Sequence, residues 1–310
     1  MKRRLDIFQP SASYSALILS PCNHWRRVGA EWYDDTLGDT SKRDSGTRVH
    51  DAIHKSWSDP MFKPSLTDEE ADMVRAANAI VTKYMKAGGK PLFEVAMGME
   101  PSVTGQVYGS VSGRDYPTDG LMHGSADLIV EQPDGSVVVL DWKTGGGAGA
   151  RKQLLTLASA YYMATGKAPR EFKLVVCYLG DDAYMDEITV DHLTLEAHME
   201  KLTAELARQP GEPVIGPHCT QFYCPHMAYC SAVSELDKQL GEHNVEFKTD
   251  PENDTEAGEM MNAIRMLKRR ADYFTAAMKR YVDGGGKPEF GDEVWDRENS
   301  KGYYQWRAKK

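Results

Sequence analysis

The run Val137-Val138-Val139-Leu140 ends abruptly in Asp141-Trp142-Lys143, and this junction constrains the fold more than any other stretch of the chain. Four consecutive apolar residues bounded by turn formers read as a strand covered on both faces, which calls for helices above and below a central sheet. Upstream, Gly124 to Val130 reads as a second strand, and Pro133-Asp134-Gly135 between the two is turn chemistry. With the hairpin centred on Asp134, Asp127 stands directly opposite Asp141. Cross-strand Cβ atoms lie about 4.5–5.5 Å apart, and like charges in such a pair repel. A shared cation is a physical reason to hold two carboxylates together, and carboxylate oxygens suit Mg2+ and Mn2+. Strand side chains have period two, so Lys143 projects from the face of Asp141 while Trp142 points to the core. An ammonium in that place can orient a nucleophile and offset charge that develops on a phosphate.

The rest of the chain supplies the layers that such a strand needs. Ser11 to Trp32 reads as a short helix carrying Cys22, and Gly46 to Trp57 as another. Asp68 to Lys86 is a helix opened by a capping box, Thr67 with Glu70. Pro91 to Leu140 is strand-rich, Arg151 to Thr165 helical, Phe172 to Leu179 a further apolar strand, and Thr194 to Ala207 a helix. Met260 to Tyr281 forms a basic amphipathic helix with Arg265, Lys268, Arg269, Arg270, Lys279 and Arg280. The expected architecture is α/β: a mixed central sheet flanked by helices over residues 1–232, followed by a helical C-terminal extension over residues 233–310.

The 310 residues carry a net charge of −9. A protein that merely coats nucleic acid is usually basic, so contact with phosphates would have to come from local clusters or bound cations. No apolar run reaches the roughly 20 residues of a membrane helix, and Met1-Lys2-Arg3-Arg4 is not followed by the apolar core of a signal peptide. The expectation is a cytoplasmic protein with no membrane partner. Five cysteines are few for a disulfide framework, and Cys219, Cys224 and Cys230 crowd one short segment, which points to a metal or cluster site.

Gly124-Ser125-Ala126-Asp127, a short spacer, then Asp141-Trp142-Lys143-Thr144-Gly145 resembles the catalytic hairpin of the PD-(D/E)XK nucleases, and within them the RecB-like branch. The resemblance implies a restriction-endonuclease-like core in which Asp127 and Asp141 bind Mg2+ or Mn2+ and Lys143 assists attack by water. Gly46-Thr47-Arg48-Val49-His50 is similar to the family's upstream helix, which makes His50 a metal ligand. His54, one turn along, reads as structural or phosphate-facing. Gln153 matches the family's glutamine on the helix after the hairpin. The tyrosine expected four residues later is replaced by Leu157, with Tyr161 and Tyr162 beyond it.

One early cysteine, Cys22, and the three late ones resemble the ligands of a [4Fe–4S] cluster in iron–sulfur members of that branch, where the cluster staples the two ends of the domain. The four-residue gap between Cys219 and Cys224 is longer than usual there. Structural Zn2+ with His218 or His226 as a replacement ligand is therefore the alternative. Cys177 reads as a core residue. The function implied is a metal-dependent DNA exonuclease of recombination, repair or phage DNA processing, acting on single-stranded DNA or free ends beside a recombination or helicase protein. Its alternatives are a structure-specific endonuclease and a non-catalytic DNA-binding or assembly subunit. Tyr303-Tyr304-Gln305-Trp306-Arg307 and the basic helix offer further stacking and charge for a single strand, although the helix also reads as packing on the core through its Met, Ile and Leu face.

Overall fold

The computed structural model describes residues 12–24, 41–59, 61–100, 104–110, 122–145, 147, 149–165, 169–180, 183–216, 218–221, 224, 230–235, 253–283, 289–290, 293–300 and 303–309. They divide into two compact units, one built on Leu5–Glu31 with Ser41–Cys224, the other on Pro225–Lys310 with two short N-terminal pieces. His226 and the end of the expected Ser11–Trp32 helix lie outside the described residues.

In the larger unit a 3-10 turn (Ala12–Tyr14) runs into α1 (Ser15–Ile18), followed by α2 (Ser41–Ser58) and α3 (Asp68–Lys86). Strands β1 (Lys90–Glu100), β2 (Thr104–Ser110), β3 (Met122–Glu131) and β4 (Val137–Lys143) come next. Then follow α4 (Ala150–Thr165), β5 (Phe172–Tyr178), β6 (Tyr184–Val190), α5 (His192–Ala207) and the single turn α6 (His218–Gln221). The strands form one sheet in the order β2-β1-β3-β4-β5-β6, with β4 and β5 parallel and the other pairs antiparallel. The apolar run of β4 lies near its middle, with Val138, Val139 and Leu140 at most 1% exposed.

Each sheet face has its own core. Val137, Val139, Phe172, Leu174 and Val176 pack with Leu154, Leu157 and Ala158 of α4 and Leu195, Met199 and Leu202 of α5. The opposite face presents Leu128, Val130, Val138, Leu140, Trp142, Val175 and Cys177 to Val49 and Ile53 of α2 and Ala77 and Val81 of α3. Trp142 and Cys177 therefore take the core positions their strand parity dictates. On the first face, Ser15 Oγ lies 2.7 Å from Thr156 Oγ1, which lies 2.8 Å from His198 Nε2, so buried polar groups link α1, α4 and α5. Burial, with Lys152 and Lys201 nearby, pushes His198 down to about 4, so it is neutral at physiological pH.

The hairpin turn is as specified. Gly135 takes a left-handed φ of 83°, and Asp134 Oδ1 accepts from the Ser136 amide at 2.9 Å and its hydroxyl at 2.7 Å. The Thr67 capping box is also present, with Glu70 Oε2 accepting the Thr67 amide at 3.0 Å. Glu70 extends this cap: Oε1 accepts from Ser45 Oγ and Arg48 Nη2 of α2 at 2.7 and 2.6 Å, so one carboxylate caps α3 and ties it to α2.

The smaller unit contains α7 (Asp254–Asp283), in which Met266 is buried, and strands β7 (Glu289–Phe290), β8 (Glu293–Ser300) and β9 (Tyr303–Lys309). The expected C-terminal helix is present and longer than its basic stretch, and the chain beyond it adds a three-stranded antiparallel sheet. The aromatic-basic ending pairs as a strand, Tyr303 to Arg307 against Ser300 to Asp296, as its tyrosines and tryptophan allow. Among the described residues no helix is long and apolar enough to cross a membrane.

The bond to Arg48 holds Glu70 down to about 2, helped by those to Ser45 and the Thr67 amide. A carboxylate depressed in the fold stabilises it above its unfolded value, ordinarily 4.5, and that support is lost as pH falls towards about 2. Glu70→Gln is expected to lower the melting temperature at pH 7 and to flatten its decline over that acid window, while Thr67→Ala costs about 1 kcal/mol by losing the cap alone. Thermal melts at a series of pH values check this. An unchanged acid profile in Glu70→Gln would remove the α2–α3 tie as a source of stability.

Candidate active site

The β3–β4 ladder pairs Glu131 with Val137 through to Leu128 with Leu140, then stops one step short of Asp127 and Asp141. At that step the Trp142 amide donates to Asp127 Oδ2 at 2.7 Å. The sequence places the two aspartates face to face; the structure opens the strands there and lets a side-chain carboxylate take the place of a ladder carbonyl. Both acids are almost fully buried, with Asp127 8% and Asp141 3% exposed.

Glu94 of β1 completes a row of acids, and the sequence reading did not find it. The β1–β3 register pairs Phe93 with Leu128 and Val95 with Ala126, leaving Glu94 level with Asp127. Both strands switch faces there. Phe93 and Leu128 belong to the core beneath α2 and α3, whereas Val95 and Ala126 belong to the core beneath α4. Glu94 carries the conformational cost, with φ of 48°, the only positive φ among the described non-glycine residues. Such strain persists where surrounding structure enforces it and gathers at functional sites. Ser125 Oγ donates to Glu94 Oε2 at 3.2 Å. The available signal was a single acid within Leu92-Phe93-Glu94-Val95-Ala96, where a buried strand has no other reason to carry charge.

His50 enters from α2, its Nδ1 3.3 Å from Asp127 Oδ1. Gly46, one turn earlier, lets the helix approach the end of β4, since a Cβ there would lie 2.9 Å from Thr144 Oγ1. His54 stacks on Phe93 with centroids 6.0 Å apart, a packing role. One ligand atom each from His50, Glu94 and Asp127 lie within 4.8 Å of one another, a spread that one cation could bridge. The donor set, two carboxylates and an imidazole, fits Mn2+ or Mg2+. Asp141 stands beside this group rather than in it, its Oδ2 2.6 Å from Lys143 Nζ. Lys143 Nζ also lies 3.4 Å from Gln153 Oε1 on α4. Leu157 is buried in the core, Tyr161 donates to Glu131 and Tyr162 to Glu196.

The charges are strongly coupled. Burial opposes a charge on His50, but Asp127, Asp141 and Glu94 outweigh it and raise the imidazole to about 9. Burial and the Asp127 charge push Glu94 up to about 7 against the pull of His50. Asp141 rises to about 6, through burial and Asp127 against the attraction of Lys143. Burial works to raise Asp127 too, but His50 and Lys143 hold it below the ordinary range. Lys143 stays protonated because Asp141 and Asp127 overcome its desolvation.

A second gathering of donors lies where residues 12–24 meet the segment after α5. The Asn23 side chain clamps that segment, donating to Gln209 O at 2.9 Å and accepting from the Gly211 amide at 2.8 Å. Cys22 and Cys219 are both buried; His218 Nε2 lies 2.9 Å from Val214 O, and the Cys219 thiol donates to the same carbonyl at 3.9 Å. Burial works against ionisation of Cys22, yet His218 and nearby backbone amides lower its thiol to about 7. Half-buried Cys224 follows, its amide donating to Cys219 O at 3.3 Å. Cys230 belongs to the smaller unit. Cys177 is a core thiol, pushed up to about 12 chiefly by burial.

The sequence profile of the PD-(D/E)XK nuclease superfamily matches residues 21–231. No curated protein matches the chain. Similar solved structures include a Eubacterium rectale protein provisionally named an exonuclease, at 14% identity over 63% of this chain and 77% of that one, with a TM-score of 0.35. An alkaline exonuclease from Laribacter hongkongensis is 12% identical over 77% of this chain and 95% of its own, TM-score 0.29. A phage-related exonuclease from Haemophilus somnus is 8% identical over 74% and 97%, TM-score 0.28. These similarities are too distant to bear on activity.

A cation bound at His50, Glu94 and Asp127 must displace protons that His50 holds up to about pH 9 and Glu94 up to about 7. Mn2+ affinity is therefore expected to climb between pH 6 and 9, by up to about tenfold per unit for each proton displaced. Calorimetric titration in buffers of different ionisation enthalpy measures both affinity and proton release. Glu94→Gln should weaken binding roughly 10–100-fold; pH-independent affinity, or an unaffected variant, would exclude this ligand set.

Proposed function

The chain belongs to the PD-(D/E)XK nuclease superfamily, and from that premise we propose that it is a divalent-metal-dependent DNA exonuclease acting on free ends in DNA recombination or repair. The observation that carries the reading is the convergence of His50, Glu94 and Asp127 beside the Asp141–Lys143 ion pair. His50, Glu94 and Asp127 would hold the cation, with Asp141 available to complete its sphere. The imidazole donor ranks Mn2+ above Mg2+. When bound, the cation supplies Lewis-acid activation of water and of the scissile phosphate.

The chain's own groups do the rest. Lys143 directs its ammonium at the charge that develops on the phosphate, and Gln153 limits where that ammonium can swing. The Asp141 carboxylate, 2.6 Å from Lys143 Nζ, keeps that ammonium protonated and holds it beside the place the phosphate would take. Burial of the acids excludes bulk water and strengthens each interaction. Cys22, Cys219, Cys224 and Cys230 are proposed to hold a structural [4Fe–4S] cluster, with His218 supplying a ligand if the metal is Zn2+.

End-labelled linear single- and double-stranded DNA, with closed circles as a control, tests the activity. Linear DNA should be consumed with Mn2+ or Mg2+ and spared with EDTA, while circles survive. Asp141→Ala and Lys143→Ala should each lose on the order of 10²–10³ in rate. Cut circles would mean an endonuclease. DNA binding with equal inactivity of wild type and Asp141→Ala would mean a binding subunit.

For the cysteine site, the freshly purified protein should show the brown colour and broad visible absorbance of iron–sulfur. Colourless protein carrying one equivalent of zinc would assign the site to Zn2+, and metal-free protein would exclude both.

A further inference from the structure

Next to the catalytic hairpin, β5 and β6 end in an aromatic stack that neither the cation ligands nor Lys143 explain. Tyr178 stands level with Lys143 in the β4–β5 register and directly across from Tyr184 in the β5–β6 register. It follows Phe172, Leu174 and Val176 on one sheet face, and the matching β4 positions are Val137, Val139, Asp141 and Lys143. Strand alternation thus places the ring on the face of Asp141 and Lys143. The two tyrosine rings are parallel to within 15°, with centroids 4.4 Å apart. Tyr178 is half-buried against the core and feels the charge of Lys143, whereas Tyr184 is 57% exposed.

The surroundings cover Tyr178 and leave Tyr184 as the exposed ring of the pair. A Cβ on Gly147 would overlap the edge of the Tyr178 ring, so the loop entering α4 packs its backbone closely against that ring. Arg151 is held by Asp186, two residues along β6 from Tyr184, through bonds of 2.7 and 2.5 Å and remains 59% exposed. A cation, a supported ring with an open face and the Lys143 ammonium therefore lie along one edge of the site.

We propose that Tyr184, backed by Tyr178, is the stacking platform for the nucleobase beside the scissile phosphate, and that it makes an unpaired strand end the preferred substrate. The proposal rests on the nuclease reading and deepens it. A base within a duplex is already stacked on both sides, whereas an unpaired one has a free π-face, and every base offers such a face, so the preference is for form rather than sequence.

The test uses the full-length protein and oligonucleotides with 2-aminopurine at each of the last three positions in turn, single-stranded or paired, in Ca2+ to suppress cleavage. Stacking should quench the fluorescence of the single strand and leave the duplex unaltered. Tyr184→Ala and Tyr184→Leu, the latter keeping apolar bulk at the sheet edge, should lose the quench and raise Kd for single strands roughly five- to 150-fold, the effect of removing one base–aromatic stack. Tyr184→Trp should restore both. Equal quenching in all variants, equal quenching of the duplex, or a fall in melting temperature with unaltered DNA binding would each overturn the proposal. Cleavage by wild type against Asp141→Ala in Mn2+ reads out the nuclease activity separately: a Tyr184-dependent quench without cleavage removes the activity and keeps the platform, and cleavage without the quench does the reverse.

Discussion

The hydrogen bond from the Trp142 amide to Asp127 Oδ2 does two things at once. It satisfies a backbone donor at the point where β3 and β4 part, which otherwise would be a buried unpaired group. It also orients a carboxylate that has lost nearly all its water. Because the bond replaces a ladder contact, the strands can open without leaving that donor unpaired, and the opening separates two acids that regular pairing would force together. The left-handed Glu94 on the neighbouring strand and the reach of His50 to Asp127 are the other parts of this break in the sheet. The two apolar cores on either side keep the sheet rigid up to that line.

Three carboxylates and two cationic groups share the site, and no arrangement of protons satisfies them all. His50 and Lys143 keep Asp127 ionised, and the charge of Asp127 then raises Glu94 and Asp141. Among like charges in a low-dielectric place one carboxyl yields to another. A divalent cation would replace the proton on His50 and let every acid ionise.

The hairpin was legible because its information is local. An apolar run, a Pro-Asp-Gly turn and period-two alternation determine the register, the core position of Trp142 and the partnership of Asp141 with Lys143. Family resemblance added His50, whose helix no periodicity could orient towards Asp127. Glu94 stayed hidden because it depends on the pairing of β1 with β3 across more than 30 residues and on a backbone conformation that no side chain announces. The cysteines drew attention to the meeting of residues 12–24 with the segment after α5, but the residue that clamps those segments is Asn23, whose amide gives no signal in a lone sequence. At the C-terminus, charge and helical periodicity dominate the sequence, and β8 and β9, eight and seven residues long, lack the continuous apolar run that marks β4.

The turn at Asp134 lies at the far end of the hairpin from the acids, yet it sets their phase. Each acid is counted off along its strand from that turn, so a residue added or removed between Gln132 and Ser136 that slipped the pairing by one would turn a whole strand over and carry Asp127, or Asp141 with Lys143, to the opposite sheet face. Surface loops ordinarily accept changes in length at little cost. This one behaves like the indexing pin of a mechanism: remote from the work, chemically ordinary, and intolerant of any change in length.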